Sequence, residues 1–311
     1  MSAIVGAYCA APPGAADDPS VEARWYAALR AEPLIGGLEL PFTGTVHPAG
    51  PDHLAELLDP DWRSVVTDIP LADARSRADP RYGLASTDTV GRAQALEDAR
   101  RLFEEVAALD ERIVAVELHS APPVRGGFSS ARIFAESLTQ IAQWSWADVT
   151  VCIEHVDAPT AGRPPVKGFL TLAEEIDAVK TASERSGRRI AQSVNWGRSA
   201  IEGRSALTPV ENLRALRSAG TLGGLMFSGV AGAGPEAWLD AHLGMADADP
   251  GSLLTEHELH TALDEVDGAE LAVFGVKMRP PATPERTARA RMAAGLSALR
   301  AVERRRALRA G

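Results

Sequence analysis

"TVCIEHV", residues 150–156, is the stretch on which the fold is decided. Its β-favouring apolar positions run straight into Glu154 and His155, and Asp157 follows two residues later. Such a stretch is a metal-binding cluster, an acid/base pair, or the wet end of a buried strand. The choice depends on its company, and seven more short apolar runs recur along the chain. They are "AIVGAY" (3–8), "IGGLELP" (35–41), "SVVTDIP" (64–70), "IVAVELHS" (113–120), "IAQSVNW" (190–196), "GGLMFSG" (223–229) and "LAVFGVK" (271–277). Runs so nearly continuous in apolar residues suit parallel strands covered by helices.

Helical periodicity fills the intervals. Segments 18–31, 50–59, 86–110, 129–144, 171–187, 208–220 and 252–266 carry Ser, Thr, Asp or Pro starts, and several end at Gly. Residues 283–308 close the chain as an expected last helix, with Met292, Leu296, Leu299 and Val302 on one face and arginines solvated around the other. Strict alternation predicts an α/β protein, a single (β/α)8 TIM barrel over residues 1–311. A doubly wound sheet is the runner-up, but no Gly-rich fingerprint follows the first strand. Residues 71–90 are expected to be a lid over the mouth or an interface, and a homo-oligomer is a candidate assembly.

Composition narrows the partners. Lys and Arg number 32 against 42 Asp and Glu, a net charge of −10, which argues against nucleic-acid binding. No apolar stretch reaches the ~18 residues of a membrane span. No charged segment followed by an apolar run opens the sequence, so a cytoplasmic protein is expected. Cys9 and Cys152 both lie in strand-like runs and are expected to be buried, reduced thiols.

Alternation along each strand then selects the side chains at the C-terminal rim, where barrel active sites form. Val114, Val116 and Leu118 suit the helix-facing side, leaving Glu117 and His119 inward. By the same logic Glu154 faces in, His155 turns toward the helices or strand six, and Asp157 belongs to the loop. Tyr8, Glu39, Asp68, Asn195, Ser228 and Lys277 complete a ring with one polar group from every strand. Buried ionisable groups are costly unless paired, so core packing does not explain such a ring. Glu117 and Glu154, on strands ~5 Å apart, should share a proton or a cation. Lys277 is one candidate cation and a metal ion the other. After strand six, "NWGRSAIEGR" (195–204) reads as a loop offering Trp196 as an aromatic plate beside Arg198, Glu202 and Arg204, suited to a sugar ring bearing an anionic group. After strand seven, "SGVAGAGPEAW" (228–238) leads to an expected helix at Pro235 whose N-terminus would be an anion site. His47 and His242 read as ordinary loop histidines.

These residues also carry a resemblance. "VELHSAP" (116–122), "IEHVDA" (153–158), "KGFL" (167–170), "VNWGRSAIEGR" (194–204) and "GLMFSGV" (224–230) resemble a bacterial family of TIM barrels classed as a domain of unknown function. More distantly, that family is similar to the xylose-isomerase-like barrels, which include sugar phosphate isomerases, epimerases and endonuclease IV. The wider resemblance implies one divalent metal held at the ends of strands five to eight by Glu, Asp, His and Glu. The matching positions here are Glu154, Asn195, Ser228 and Lys277, so only one strong ligand survives. A relocated metal site would use Glu117, His119, Glu154 and His155. An endonuclease lacks its histidine cluster and basic face, and a retaining glycosidase lacks its second carboxylate across the barrel.

The expected function is isomerisation or epimerisation of a small sugar, sugar phosphate or sugar acid by proton transfer next to a carbonyl, with a lyase second. Glu154 would be the base, Glu117 its partner acid, and Lys277 the oxyanion stabiliser. Tyr8, Glu39, Asp68, His119, His155, Asn195, Trp196, Arg198 and Ser228 would bind substrate. A non-catalytic carbohydrate-binding barrel is the alternative.

Overall fold

The computed structural model describes residues 3–15, 17–280 and 287–310. Eight strands, β1 (Ala3–Val5), β2 (Ile35–Pro41), β3 (Ser64–Thr67), β4 (Ile113–Leu118), β5 (Thr150–His155), β6 (Ala191–Asn195), β7 (Leu222–Phe227) and β8 (Val273–Val276), pair in sequence order, and β8 returns to β1. Every pairing is parallel. The fold is therefore a closed (β/α)8 barrel.

The helices are α1 (Pro19–Arg30), α2 (Pro51–Leu57), α3 (Ile69–Ala78), α4 (Thr89–Ala108), α5 (Ala131–Ala142), α6 (Leu172–Ser186), α7 (Trp196–Gly203), α8 (Thr208–Ala219), α9 (Glu256–Glu265), α10 (Ala288–Arg291) and α11 (Ala293–Ala310). Their ends follow local chemistry. Thr171 and Glu174 form a reciprocal capping box at the start of α6, and Gly187 ends it in the left-handed region at φ 69°. The expected closing helix is two pieces, and its residues 283–286 lie outside those described.

Two helices depart from the simple alternation. The segment expected as a lid begins as α3, which starts directly after β3, and it then continues as a turn pinned to the β4–α5 connection. Ala85 N donates to Ala121 O at 2.9 Å and Ser130 N to Ala85 O at 2.9 Å. The stretch 195–204, expected as a loop, is α7 and starts at the last residue of β6. In both places the chain turns from strand to helix with at most one residue between, leaving no loop to read.

Packing separates the two faces of the barrel wall. Outward-facing Val116, Leu118, Ile153, Val194, Leu225 and Phe227 pack in the main core with the helices. Inside, Ile4, Val65, Ala115, Cys152, Ala191, Met226 and Val273 form a separate apolar plug. Cys152 is fully buried there, whereas Cys9 is part-exposed and lies in a 3-10 turn, Ala7–Ala10, rather than in a strand. Tyr8 is carried by the same turn.

The seam between β8 and β1 joins two of the shortest strands, and it closes because Gly275 has no side chain. A Cβ there would stand 1.8 Å from the Ile4 carbonyl oxygen. Gly275→Ala is expected to destabilise the barrel by about 3 kcal/mol, the upper end for overpacking, read as a lowered urea midpoint with an unchanged m-value.

Candidate active site

Directly above the apolar plug stand three carboxylates, Glu39, Glu117 and Glu154, with oxygens within 4.8 Å of one another. All three are about 1% exposed. Each is held by different partners, and those partners set its charge.

Glu154 has donors on both oxygens. His119 Nε2 lies 2.8 Å from Oε2 and Asn195 Nδ2 donates to Oε1 at 3.1 Å. The guanidinium of Arg198 stands 3.6 Å from Oε1. Burial pushes the Glu154 pKa up, but Arg198, Lys277 and His119 outweigh it and hold the group well below the usual carboxylate range. The second nitrogen of His119 meets Asp68 at 2.5 Å. Burial opposes a charge on this ring, yet its two acidic neighbours raise the pKa to about 9, so it is an imidazolium at neutral pH. Asp68 sits at the N-cap position of α3 without capping it, because its carboxylate turns to His119 instead.

Glu117 is the opposite case. Its Oε1 accepts from Ser193 Oγ at 2.6 Å, and its Oε2 is buried without a partner. Burial, then the charges of Glu154 and Glu39, push its pKa to about 8, so it keeps its proton at neutral pH. Glu39 accepts from Lys277 Nζ at 2.8 Å. Burial disfavours the lysine's charge, but Glu39, Tyr8 and Glu154 keep it firmly protonated. The ammonium also lies 5.4 Å from the Tyr8 ring centre. Room for this pair comes from Gly6, where a Cβ would meet Glu39 Oε2 at 2.7 Å and Lys277 Cγ at 2.8 Å.

The β6–α7 junction completes the wall. Asn195 Oδ1 accepts from Ser228 Oγ at 2.8 Å and from the Arg198 backbone N–H at 3.4 Å, which turns its amide nitrogen toward Glu154. Arg198 is nearly buried, and its Nη2 approaches Asp240 at 3.4 Å. Asp240 lies in the long 228–255 connection and also pairs with Lys167 at 3.6 Å. Connections longer than about 12–15 residues are commonly functional, and that length is the one sequence signal for Asp240. His242 stands beside it, 3.5 Å away, with its pKa lowered to about 4 by burial and nearby cations, so it is neutral.

The structure thus brings together Tyr8, Glu39, Asp68, Glu117, His119, Glu154, Asn195, Arg198, Ser228 and Lys277. Two expected members stand elsewhere. Trp196 is fully buried in the main core and offers no plate to a ligand. A different tryptophan, Trp238, is part-exposed under the Arg204 guanidinium at 5.2 Å. His155 points away from the mouth, as strand alternation requires, with Nδ1 2.7 Å from Glu175 and Nε2 2.7 Å from Glu202. Ser120 Oγ adds a hydrogen bond to Glu175 at 2.5 Å. The expected helix at Pro235 does not form. Residues 228–254 instead fold back through bridges of Gly229 to Leu243 and Ala231 to Ser252.

Neither expected metal set fits a divalent ion. Of the strand-end residues, Glu154 has both oxygens occupied by donors, Ser228 donates to Asn195, and Lys277 is itself a cation. The relocated set loses His155 to the helix side, and both nitrogens of His119 are taken by carboxylates. A further group at the rim, Glu22 with His47 and His53, is a hydrogen-bonded clasp: the two rings meet Glu22 at 2.8 and 3.0 Å. His47 Nδ1 accepts the Ala49 N–H at 3.0 Å, which leaves its proton on the nitrogen facing Glu22. A metal-bound imidazole would carry the proton on that other nitrogen.

The His155 cluster has a measurable consequence. Burial disfavours the imidazolium, but Glu175 and Glu202 raise the pKa to about 10 from an ordinary value of 6.5. A raised histidine pKa stabilises the folded state fully below pH 6.5 and loses that contribution as pH climbs through about 10. The melting temperature is expected to fall between pH 7 and pH 10. His155→Gln should flatten that slope while costing roughly 3–5 kcal/mol at neutral pH, since it strands two carboxylates.

Among known proteins, the chain is 33% identical over 283 residues to the uncharacterized protein STM3670 of Salmonella typhimurium, covering 88% of each. Its fold is similar to that of a xylose isomerase domain protein from Alicyclobacillus acidocaldarius, at 14% identity, TM-score 0.53 and full coverage of both chains. It is also similar to the 3-keto-D-glucoside 4-epimerase YcjR of E. coli, at 11% identity and TM-score 0.53, over 91% of this chain and 94% of that one. At such identities the likeness is one of fold, a (β/α)8 barrel shared with xylose-isomerase-like proteins. Among the described residues, no helix is long and apolar enough to cross a membrane. Residues 4–292 match the family described as Domain of unknown function (DUF4862), and the chain belongs to that family.

Proposed function

We propose that the barrel mouth catalyses isomerisation or epimerisation of a small sugar by moving a proton next to a carbonyl. One observation carries this reading. Two carboxylates with oxygens within 4.8 Å of each other have environments that force opposite protonation states. Glu154 is held as the anion by three cations, and Glu117 is held as the acid by burial and its acidic neighbours. Titratable groups pushed apart in this way mark an acid and a base.

The charges favour such a step. When Glu154 takes a proton from carbon, it loses its negative charge and the substrate gains one on the enediolate oxygen. Lys277 and Arg198, which had faced the carboxylate, then face the oxyanion. The total charge of the buried site is unchanged, so little reorganisation is needed. Glu117 returns a proton to the opposite face of the same carbon in epimerisation, or to the neighbouring carbon in isomerisation, where the remaining hydroxyl proton passes to the former carbonyl oxygen. The two carboxyl groups exchange states. Asn195 keeps Glu154 oriented throughout. The names of the fold's relatives, a xylose isomerase domain protein and a 3-keto-D-glucoside 4-epimerase, support the same class of chemistry. A carbohydrate-binding barrel without catalysis is the second reading, favoured by the donors already occupying both Glu154 oxygens.

The decisive measurement is exchange of a substrate C–H proton with solvent deuterium, followed by NMR across a panel of sugars. Glu154→Gln and Glu117→Gln are each expected to reduce exchange about 10²–10⁴-fold, and Lys277→Met about 10²–10³-fold. Because the acid form of Glu117 is required, the rate should fall as pH rises through about 8. Chelation by EDTA should leave exchange unaffected. Sugars that bind without exchanging would favour the non-catalytic reading.

A further inference from the structure

Resting on the proton-transfer reading, we propose that the mouth selects an uncharged, polyhydroxylated substrate, a free ketose or aldose without phosphate or carboxylate, and that Asp240 enforces this choice. The cations at the mouth already have acidic partners. Lys277 has Glu39 at 2.8 Å, and His119 has Asp68 at 2.5 Å and Glu154 at 2.8 Å. Arg198 has Asp240 at 3.4 Å and Glu154 at 3.6 Å. Lys167 has Asp73 at 3.4 Å and Asp240 at 3.6 Å. An anionic substrate would have to compete with these carboxylates for positive charge that they already neutralise.

The position where barrels often hold phosphate, after β7, is also built against an anion. No helix N-terminus opens there, and several of its backbone amides are engaged internally. Gly229 N donates to Leu243 O at 2.8 Å, Trp238 N to Ala231 O at 2.8 Å, and Leu253 N to Val230 O at 2.8 Å. The same connection contributes Asp240 to the mouth and Glu236 to the rim. At that rim, Arg163 and Arg204 hold the Gly203 and Pro164 carbonyls, and Arg204 covers Trp238.

What the mouth leaves unsatisfied is mixed in sign. Buried Nε and Nη1 of Arg198 have no hydrogen-bond partner, and neither do the buried Oε2 atoms of Glu39 and Glu117. Donors and acceptors side by side suit sugar hydroxyls, each of which can donate and accept. A phosphate offers acceptors almost alone and would meet Glu154 and Asp240 as like charges. Of the two acids beside Arg198, Glu154 comes from a barrel strand and Asp240 from a loop. It lies against Arg198, the guanidinium best placed to hold an anionic substrate group.

The test uses matched compounds: free hexoses and pentoses, each beside its own phosphate ester and aldonic acid. Calorimetry measures affinity and NMR measures deuterium exchange. In the wild-type protein the free sugar is expected to bind at least tenfold more tightly than its charged counterparts. Asp240→Asn, which leaves the Arg198 charge less matched, should shift the ratio at least tenfold toward the phosphate ester. Glu236→Gln, on the same connection but at the exposed rim, should leave the ratio unmoved. A charged member that binds more tightly than the free sugar in the wild type overturns the inference, whether or not Asp240→Asn folds. If that charged member also exchanges, the proton-transfer reading stands. Free sugars that bind preferentially but without exchange have the opposite meaning: the selectivity is kept and the catalysis is lost. A panel in which nothing binds overturns both.

Discussion

Holding Glu154 as an anion inside the barrel is the constraint around which the mouth is built. An isolated ionised carboxylate out of water costs far more than a domain's net stability, and it survives only with donors and opposite charge around it. The end of β4 supplies His119, β6 supplies Asn195, α7 supplies Arg198 and the end of β8 supplies Lys277 to that task. Each of these has its own requirement. His119 needs Asp68, Lys277 needs Glu39, and Arg198 needs Asp240. One carboxylate thus obliges contributions from most of the barrel's strands, and the glycine at position 6 follows from the space that the Glu39–Lys277 pair occupies. Glu117 is the exception on which the proposed chemistry rests: close to the same cluster, it is the member that keeps a proton.

His119 and His155 show one device used for two ends. Both rings lie between two carboxylates at 2.5–2.8 Å, and both are charged by them. His119 does this on the inner side of the wall and so sets the state of Glu154. On the outer side His155 ties β5 to Glu175 of α6 and Glu202 of α7, and α7 is the helix that carries Arg198 to the mouth. The first cluster fixes protonation and the second fixes the element that helps fix it.

Much of this is legible in the chain because strand geometry is simple. A period of two puts Glu117 and Glu154 inward and His155 outward from the sequence alone, and eight apolar runs separated by helical periodicity leave few architectures open. The failures share a different cause. α7 reads as a loop because its residues, rich in Gly and polar groups, follow a strand with no turn between. Trp196 reads as a ligand platform, but the first turn of α7 rotates it into the core. Asp240 gives no local signal at all, since its place depends on how residues 228–255 fold back over the mouth. Contacts set by strand register are readable. Contacts set by the path of a long connection are not.

A buried ammonium at the end of β8, where the sequence leaves a metal ion as the other candidate cation, bears on what such a barrel can bind. A divalent ion brings two positive charges and open coordination positions, so anionic ligands can approach it without a change in the protein. An ammonium brings one charge and three hydrogens, and burying it is tolerable only with a carboxylate beside it. Here that carboxylate is Glu39, and the pair is neutral before any substrate arrives. The positive potential available to a ligand then falls to Arg198, and Asp240 reduces that in turn. What remains is directional: an ammonium on Glu39, and a guanidinium and an amide beside Glu154, which under the proposed proton transfer would stabilise charge as it develops. Under the proposed proton transfer, a site of this kind favours a substrate that enters neutral and becomes negative only as its proton leaves.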